Sequence, residues 1–264
     1  MIDCHVHTAL CGHAQGDAAA YAEAARMSGI SVLAFTEHLP LPKRMDPLRS
    51  YSMAPSDLEG YVADVLGLRE SFSETQILLG AEADWLPDDS RDLAELLGSF
   101  HFDVVLGSVH FLDGWAFDDP DKRAEWDGRD VDAVWRLYFQ RVCDAAASGL
   151  FDVIAHPDLV KKFGHRPSFD QRELFEEVAG CFSKAGVAIE VSTAGLRKPV
   201  GELYPSEELL LACRRAGVPA TMGSDAHKPS EVGYRLPDAV EAIRQAGYKS
   251  IVYFLGREPR EVAL

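Results

Sequence analysis

One junction recurs along this 264-residue chain. It reads SGISVLAF at 28–35, SGLFDVIA at 148–155, AGVAIEVS at 185–192, AGVPATMG at 216–223 and AGYKSIVY at 246–253. Each time a helical stretch ends in a small residue and Gly, and a short β-branched run follows. Gly accepts the left-handed conformation that closes a helix. The apolar run that follows reads as a buried parallel strand. Gly149, Gly186, Gly217 and Gly247 are spaced by 37, 31 and 30 residues, the size of one βα unit. The sequences between them differ, so the period is structural and not a solenoid repeat.

Further strands are expected at Ile2–Val6, Gln76–Ala81 and Phe102–Leu106. About eight strands then alternate with helices. Ala18, Tyr21, Ala22 and Ala25 share one helical face. Ser56-Asp57-Leu58-Glu59 predicts a capping box that opens a helix to about Phe72. Asp130–Ser148 and Pro205–Ala216 are also periodic. This alternation indicates an α/β barrel or an open doubly wound sheet. No Ser/Gly/Pro tract divides the chain, so one domain over residues 1–264 is expected. The longest irregular stretches, Leu39–Pro55 and Phe111–Gly128, follow strands and read as lids or binding loops.

Composition narrows the classes of partner. The formal net charge is -16, which argues against nucleic-acid or anionic-membrane binding. No run approaches the ~18 apolar residues of a membrane span. The start, MIDCHVHT, lacks the basic and apolar regions of a secretory signal. Five Cys without CxxC spacing do not form a disulfide framework. A cytoplasmic enzyme is the expectation.

The nine histidines carry the chemistry. His5 and His7 sit at i, i+2 in the first strand, so both imidazoles point to one face. Asp225 and His227 repeat that spacing after Thr221–Gly223. His38, Glu82, His110 and His156 each follow a strand, and His13 lies in the loop after the first. Parallel barrels place their active sites at the C-terminal strand ends. Side chains at successive strand ends therefore converge, and a His/carboxylate set suits zinc, iron, manganese and similar ions. His101 precedes a strand and reads as structural, whereas His165 lies beyond a C-terminal strand end and lines the site in this reading. Cys4 points to the opposite face, Cys11 lies near the ligands without being one, and Cys143, Cys181 and Cys213 read as packed thiols.

The motifs Asp3-Cys4-His5-Val6-His7-Thr8, Thr36-Glu37-His38, Gly80-Ala81-Glu82, Gly107-Ser108-Val109-His110, Ala155-His156-Pro157-Asp158 and Gly223-Ser224-Asp225-Ala226-His227 resemble the PHP (polymerase and histidinol phosphatase) family. Cys11-Gly12-His13, Lys162-Phe163-Gly164-His165 and Thr193-Ala194-Gly195-Leu196-Arg197 look like its stand-alone histidinol-phosphatase branch. The resemblance implies a distorted (β/α)7 TIM-like barrel of the PHP type, with the last strand candidate, Ser250–Phe254, an extra element. It also implies three divalent metal ions, zinc, iron or manganese. One takes His5, His7, Glu82 and Asp225; a second takes Glu82, His110 and His156, with Glu82 bridging; a third takes His13, His38 and His227. No position of this pattern is substituted.

The expected reaction is hydrolysis of L-histidinol phosphate, a small-molecule phosphate monoester, to L-histidinol and phosphate in histidine biosynthesis. Phosphate monoesters hydrolyse very slowly unaided. Metals sharing Glu82 could hold a bridging hydroxide, since a bound water's pKa falls to ~7 in favourable cases. Glu82, Asp225 and Arg197 form the expected catalytic set. Arg197, Lys161 and His165 are the expected substrate contacts, because a guanidinium fork fits phosphate and the 161–166 loop is basic. Asp158, His165, Asp17 or a metal-bound water are the candidate general acids. The acidic stretch Asp113–Asp121 could attract the substrate's amine. The alternatives are a PHP phosphoesterase of nucleotide or nucleic-acid specificity and a non-catalytic PHP binding module. An amidohydrolase-type barrel also begins HxH, but it uses a carboxylated Lys where this chain offers Glu82. Oligomeric state is not specified by the sequence.

Overall fold

The computed structural model describes residues 1–264. Seven parallel strands follow one another in order: β1 (Ile2–Val6), β2 (Val32–Phe35), β3 (Gln76–Asp84), β4 (Val104–Ser108), β5 (Val153–Ile154), β6 (Ala188–Ser192) and β7 (Ala220–Gly223). Each is followed by one helix: α1 (Ala18–Met27), α2 (Leu58–Ser71), α3 (Ser90–Gly98), α4 (Val131–Ala147), α5 (Arg172–Ala185), α6 (Glu207–Arg215) and α7 (Leu236–Gln245). A continuous ladder joins β1 to β7 through the intervening strands. The remaining seam is narrowed by one parallel bridge, Val6 to Ala226, in which His7 N donates to Ala226 O at 2.9 Å. The result is the expected (β/α)7 barrel, nearly closed.

The recurring junction behaves as its sequence implies. Gly29, Gly149, Gly186, Gly217 and Gly247 all take positive φ, from 66° to 92°. At Gly186 (φ 74°) the N–H donates to Phe182 O and closes α5. No side chain with a Cβ reaches that region without steric cost. Four of the five junction strands are buried throughout, because helices cover the outer face and the barrel interior covers the other; the fifth, Ser250–Leu255, is only half-buried.

Three details differ from the sequence reading, and a fourth, the last strand, is the extra element that the resemblance implied. Strand β3 runs on to Asp84, so Glu82 lies within it, paired opposite Leu106 of β4. Strand β4 begins at Val104, two residues later than expected, because Asp103 turns its carboxylate onto Leu79 N at 2.9 Å. Ser56 does not cap α2: a single 3-10 turn, Pro55–Asp57, precedes the helix, and the Ser56 hydroxyl meets Asp57 Oδ1 at 3.1 Å. The last strand pairs outside the barrel. It forms an antiparallel hairpin, β8 (Ser250–Leu255) with β9 (Glu258–Ala263). The hairpin's tip bonds the N-terminal ends of β4 and β5, with Arg257 N donating to Asp103 O at 2.8 Å and Arg257 Nε to Asp152 Oδ2 at 3.0 Å. It therefore seals the end of the barrel opposite the histidines.

The two long loops are ordered by their own contacts. Asp46, fully buried, accepts Ser50 N, Tyr51 N, Ser52 N and the Ser52 hydroxyl at 2.8–3.1 Å. Phe111 and Ala116, in a small hairpin after β4, pack with Leu41 as a satellite of the main core, so both loops share one apolar patch. No helix is long and apolar enough to cross a membrane.

Candidate metal centre

The period of two in β1 and its continuation brings His5 and His7 together, both fully buried, with their Nε2 atoms 2.8 Å apart. Glu82 Oε2 lies 3.1 Å from His5 Nε2 and 3.2 Å from His7 Nε2. Asp225 Oδ1 is 3.7 Å and 3.4 Å from the same two nitrogens. The other Glu82 oxygen, Oε1, sits 2.9 Å from His156 Nε2 and 3.8 Å from His110 Nε2. One carboxylate thus stands between two groups of ligand atoms, as a bridge requires. His13 Nε2 and His227 Nε2 form a third meeting point, 3.0 Å apart. His38 presents Nδ1 to Glu82 Oε2 at 3.2 Å, and its nitrogen clusters with those of His7 and His227 rather than with that of His13.

The rings are aimed from behind. His5 Nδ1 bonds Glu190 Oε1 at 2.8 Å, His7 Nδ1 faces Glu37 Oε1 at 3.4 Å, and His110 Nδ1 bonds Asp84 Oδ1 at 3.0 Å. His13 Nδ1 faces Cys11 O and Ser50 O, both at 3.1 Å, and His227 Nδ1 faces Asp225 O at 3.1 Å. An acceptor behind Nδ1 keeps the proton there and leaves the Nε2 lone pair pointing inward. Two nitrogens each ~2.05 Å from one cation lie about 2.9–3.3 Å apart at 90–109°. The observed separations of 2.8 and 3.0 Å are close to that. The donor set fits divalent metal ions.

Without metal the cluster is electrostatically tense. Burial lowers the affinity of His5 and His7 for protons, but the surrounding carboxylates outweigh it and hold both well above the usual imidazole range. His110 is likewise raised to about 10: burial opposes, and Asp84 then dominates. Burial would raise Glu82 and Asp225, yet the neighbouring imidazoles hold both well below the carboxylate range. His38 and His227 are lowered, by burial first. Backbone strain marks the same place: His156 (φ 28°) and Asp225 (φ 51°) take positive φ at the ends of β5 and β7.

The cluster opens into a cavity of about 600 Å³. Its lining carries the cations Lys162, Arg197, Lys198 and Lys228 and the carboxylates Asp118, Asp119 and Asp121, with Tyr51 and Phe111. Arg197 Nη2 donates to Ser224 O at 2.8 Å and Asp225 O at 3.0 Å, while its Nη1 is buried without a partner. Burial and the nearby Lys162 depress the Lys198 ammonium. Part of the acidic 113–121 stretch is therefore in the wall; Asp113 itself points away to Arg141 at 3.1 Å.

Two expected substrate contacts are corrected. Lys161 is fully buried and paired with Asp158 at 2.8 Å, donating also to Leu203 O at 2.7 Å. The cavity lysine is its neighbour Lys162, paired with Asp118 at 2.8 Å. His165 stacks on Trp126, 4.4 Å between centroids and 11° between planes, and takes no part in the cavity wall. Of the general-acid candidates, Asp158 is held by Lys161, and Asp17 caps α1 through Ala20 N at 2.9 Å. His101 is exposed at the opposite end, ahead of β4. Cys11 places its sulfur in one group with the His13 and His227 ligand atoms, and burial without metal pushes its thiol up to about 12.

Glu190, Lys198 and Tyr204 were not expected. Glu190 is the one charged residue in the apolar run of β6, and that interruption was a visible signal. Lys198 and Tyr204 sit in irregular loops and gave none.

Fold and site define a class: a parallel βα barrel with a buried histidine–carboxylate metal-ligand cluster at its C-terminal strand ends. A model of the PHP domain matches residues 3–194. A probable histidinol-phosphatase of Deinococcus radiodurans is 42% identical over 257 residues, covering 96% of each chain. The chain belongs to the PHP family. The histidinol-phosphatase of Bacillus subtilis is 28% identical, covering 88% of this chain and 95% of its own. The crystal structure of a Lactococcus lactis histidinol phosphate phosphatase, complexed with zinc, L-histidinol and phosphate, shares the fold, with a TM-score of 0.83, 21% identity and 98% of each chain covered. Asp225 and His227 lie beyond the matched span, and the barrel itself returns them to the cluster.

Proposed function

We propose that this protein is a histidinol-phosphatase, a metal-dependent phosphomonoesterase that converts L-histidinol phosphate to L-histidinol and phosphate. The observation that carries the reading is Glu82, whose two oxygens face two separate groups of imidazoles inside a cavity whose lining includes Lys162, Arg197 and Lys198. The near-full-length likeness to proteins named for that activity supports it. Residues 1–264 act as one domain in this reading, placed in the cytoplasm, in keeping with five unpaired thiols.

Three divalent ions are assigned: one to His5, His7, Glu82 and Asp225, one to Glu82, His110 and His156, and one to His13, His38 and His227. Bound there, such ions supply an activated water and positive charge for the phosphoryl group. The chain does the rest. Glu37, Asp84 and Glu190 hold the imidazoles in the ligating tautomer. Arg197 Nη1, Lys162 and Lys198 draw the phosphate to the cluster, and the Asp119–Asp121 side suits the cationic amine. The net charge of -16 and these aspartates in the lining disfavour a nucleic-acid substrate.

Two measurements test the reading. Chelation should abolish phosphate release and readdition of zinc, iron or manganese should restore it; indifference to chelator defeats the metal assignment. In a phosphate-release panel histidinol phosphate should rank far above nucleotides and p-nitrophenyl phosphate. Equal rates across the panel would remove the histidinol assignment and keep the reaction class.

A further inference from the structure

The Tyr204 hydroxyl is buried and has no hydrogen-bond partner. Tyr204 nevertheless lines the cavity that holds the ligand cluster. Its backbone is pinned to the tail of β6, with Ser192 N donating to Tyr204 O at 2.6 Å and Tyr204 N to Ser192 O at 3.0 Å. Its ring is fixed too. Gly195 packs so closely that a Cβ there would lie 3.1 Å from ring atoms Cε2 and Cζ. The Lys161 ammonium sits 5.5 Å from the ring centroid, and the His156 ring meets it edge-on at 6.4 Å. The hydroxyl is therefore rigidly held and lacks an acceptor.

A buried donor without an acceptor lowers stability unless something outside the chain completes it. The same cavity wall holds a second such donor, Arg197 Nη1. The two residues belong to one packed unit, since Gly195, two positions before Arg197, is what the Tyr204 ring rests on. Two orphan donors beside a metal-ligand cluster call for an anionic group that offers several acceptor oxygens at once.

We propose that Tyr204 is a phosphate-binding residue, donating its hydroxyl to a phosphoryl oxygen beside Arg197. The proposal rests on the phosphatase reading above. The variant is Tyr204→Phe, which keeps the ring and removes only the donor. The probe is inorganic phosphate on the metal-loaded protein. Phosphate should inhibit or bind the variant about tenfold or more weakly, the usual scale for a hydrogen bond to a charged group. Its metal content should match the wild type. Its Tm without phosphate should be equal or higher, because an unsatisfied buried group is gone, and the Tm rise on adding phosphate should shrink. Phosphate affinity within twofold of wild type overturns the proposal. So does a Tm several degrees lower, which would mean the hydroxyl serves the fold. If wild type hydrolyses monoesters and the variant keeps its phosphate affinity, only this inference fails. A wild type that neither hydrolyses any monoester nor binds phosphate overturns both readings.

Discussion

Glu190 Oε1 lies 2.8 Å from His5 Nδ1, joining β6 to β1 through the barrel interior. Its other oxygen accepts His156 N at 2.8 Å. One buried carboxylate thus sets the ring of a ligand in one group and the backbone of a ligand in the next. Glu190→Gln keeps the shape and removes the charge. We expect about 10–100-fold weaker metal binding, read by competition with a chelator of known affinity. Unchanged metal retention would show that Glu190 is only packing.

Metal loading should release protons. In the metal-free cluster the carboxylates around His5, His7 and His110 outweigh burial and favour the protonated imidazole, His110 being raised to about 10. A ligating imidazole must be neutral, so protons and metal compete. Raised values mean that protons win at the acid end. Apparent zinc affinity should rise steadily between about pH 6 and pH 8, with proton release visible by calorimetry in buffers of different ionisation heat. A flat pH dependence would contradict this.

Gly223, at the end of β7, has no room for a methyl group. A Cβ there would come within 2.5 Å of His5 Cβ and closer still to Glu190 Oε1. Both neighbours are fixed by strand and hydrogen bond, so neither yields cheaply. Gly223→Ala should cost about 1–3 kcal/mol of stability by overpacking and loosen the metal held by His5. Thermal melts and metal analysis check it, and a variant that melts and loads like wild type would refute the close approach.

Adjacent lysines should behave oppositely. Lys161→Met leaves the Asp158 carboxylate buried without its cation, and losing one partner of such a pair costs about 3–5 kcal/mol. Lys162 is only partly buried, with Asp118 as its partner. Lys162→Met should leave the melting temperature near wild type and raise KM for the phosphate monoester. A stable Lys161→Met protein with a raised KM would reverse the two roles.

The barrel was legible because its period is local. Helix closure at Gly and the apolar runs after it depend on neighbours in sequence, and five junctions repeated the same instruction. The ligands were legible for a related reason: strand direction alone sends His5, His38, Glu82, His110 and His156 towards one end. The 161–166 loop was not. It leaves β5 through a short 3-10 turn, Leu159–Lys161, and which lysine faces the cavity depends on Asp118 and Leu203 O, which arrive from distant segments, as well as on the neighbouring Asp158.

The sequence by itself determined the order of strands and helices, the end of the barrel that carries the chemistry, and the residue types that meet there. Those follow from backbone conformation and side-chain alternation, which act over a few residues. Only the tertiary structure decided that Glu190 and Asp84 aim the rings, and that Lys162 rather than Lys161 faces the cavity. These are matters of distance between segments far apart in the chain, and packing and charge pairing across the barrel set them.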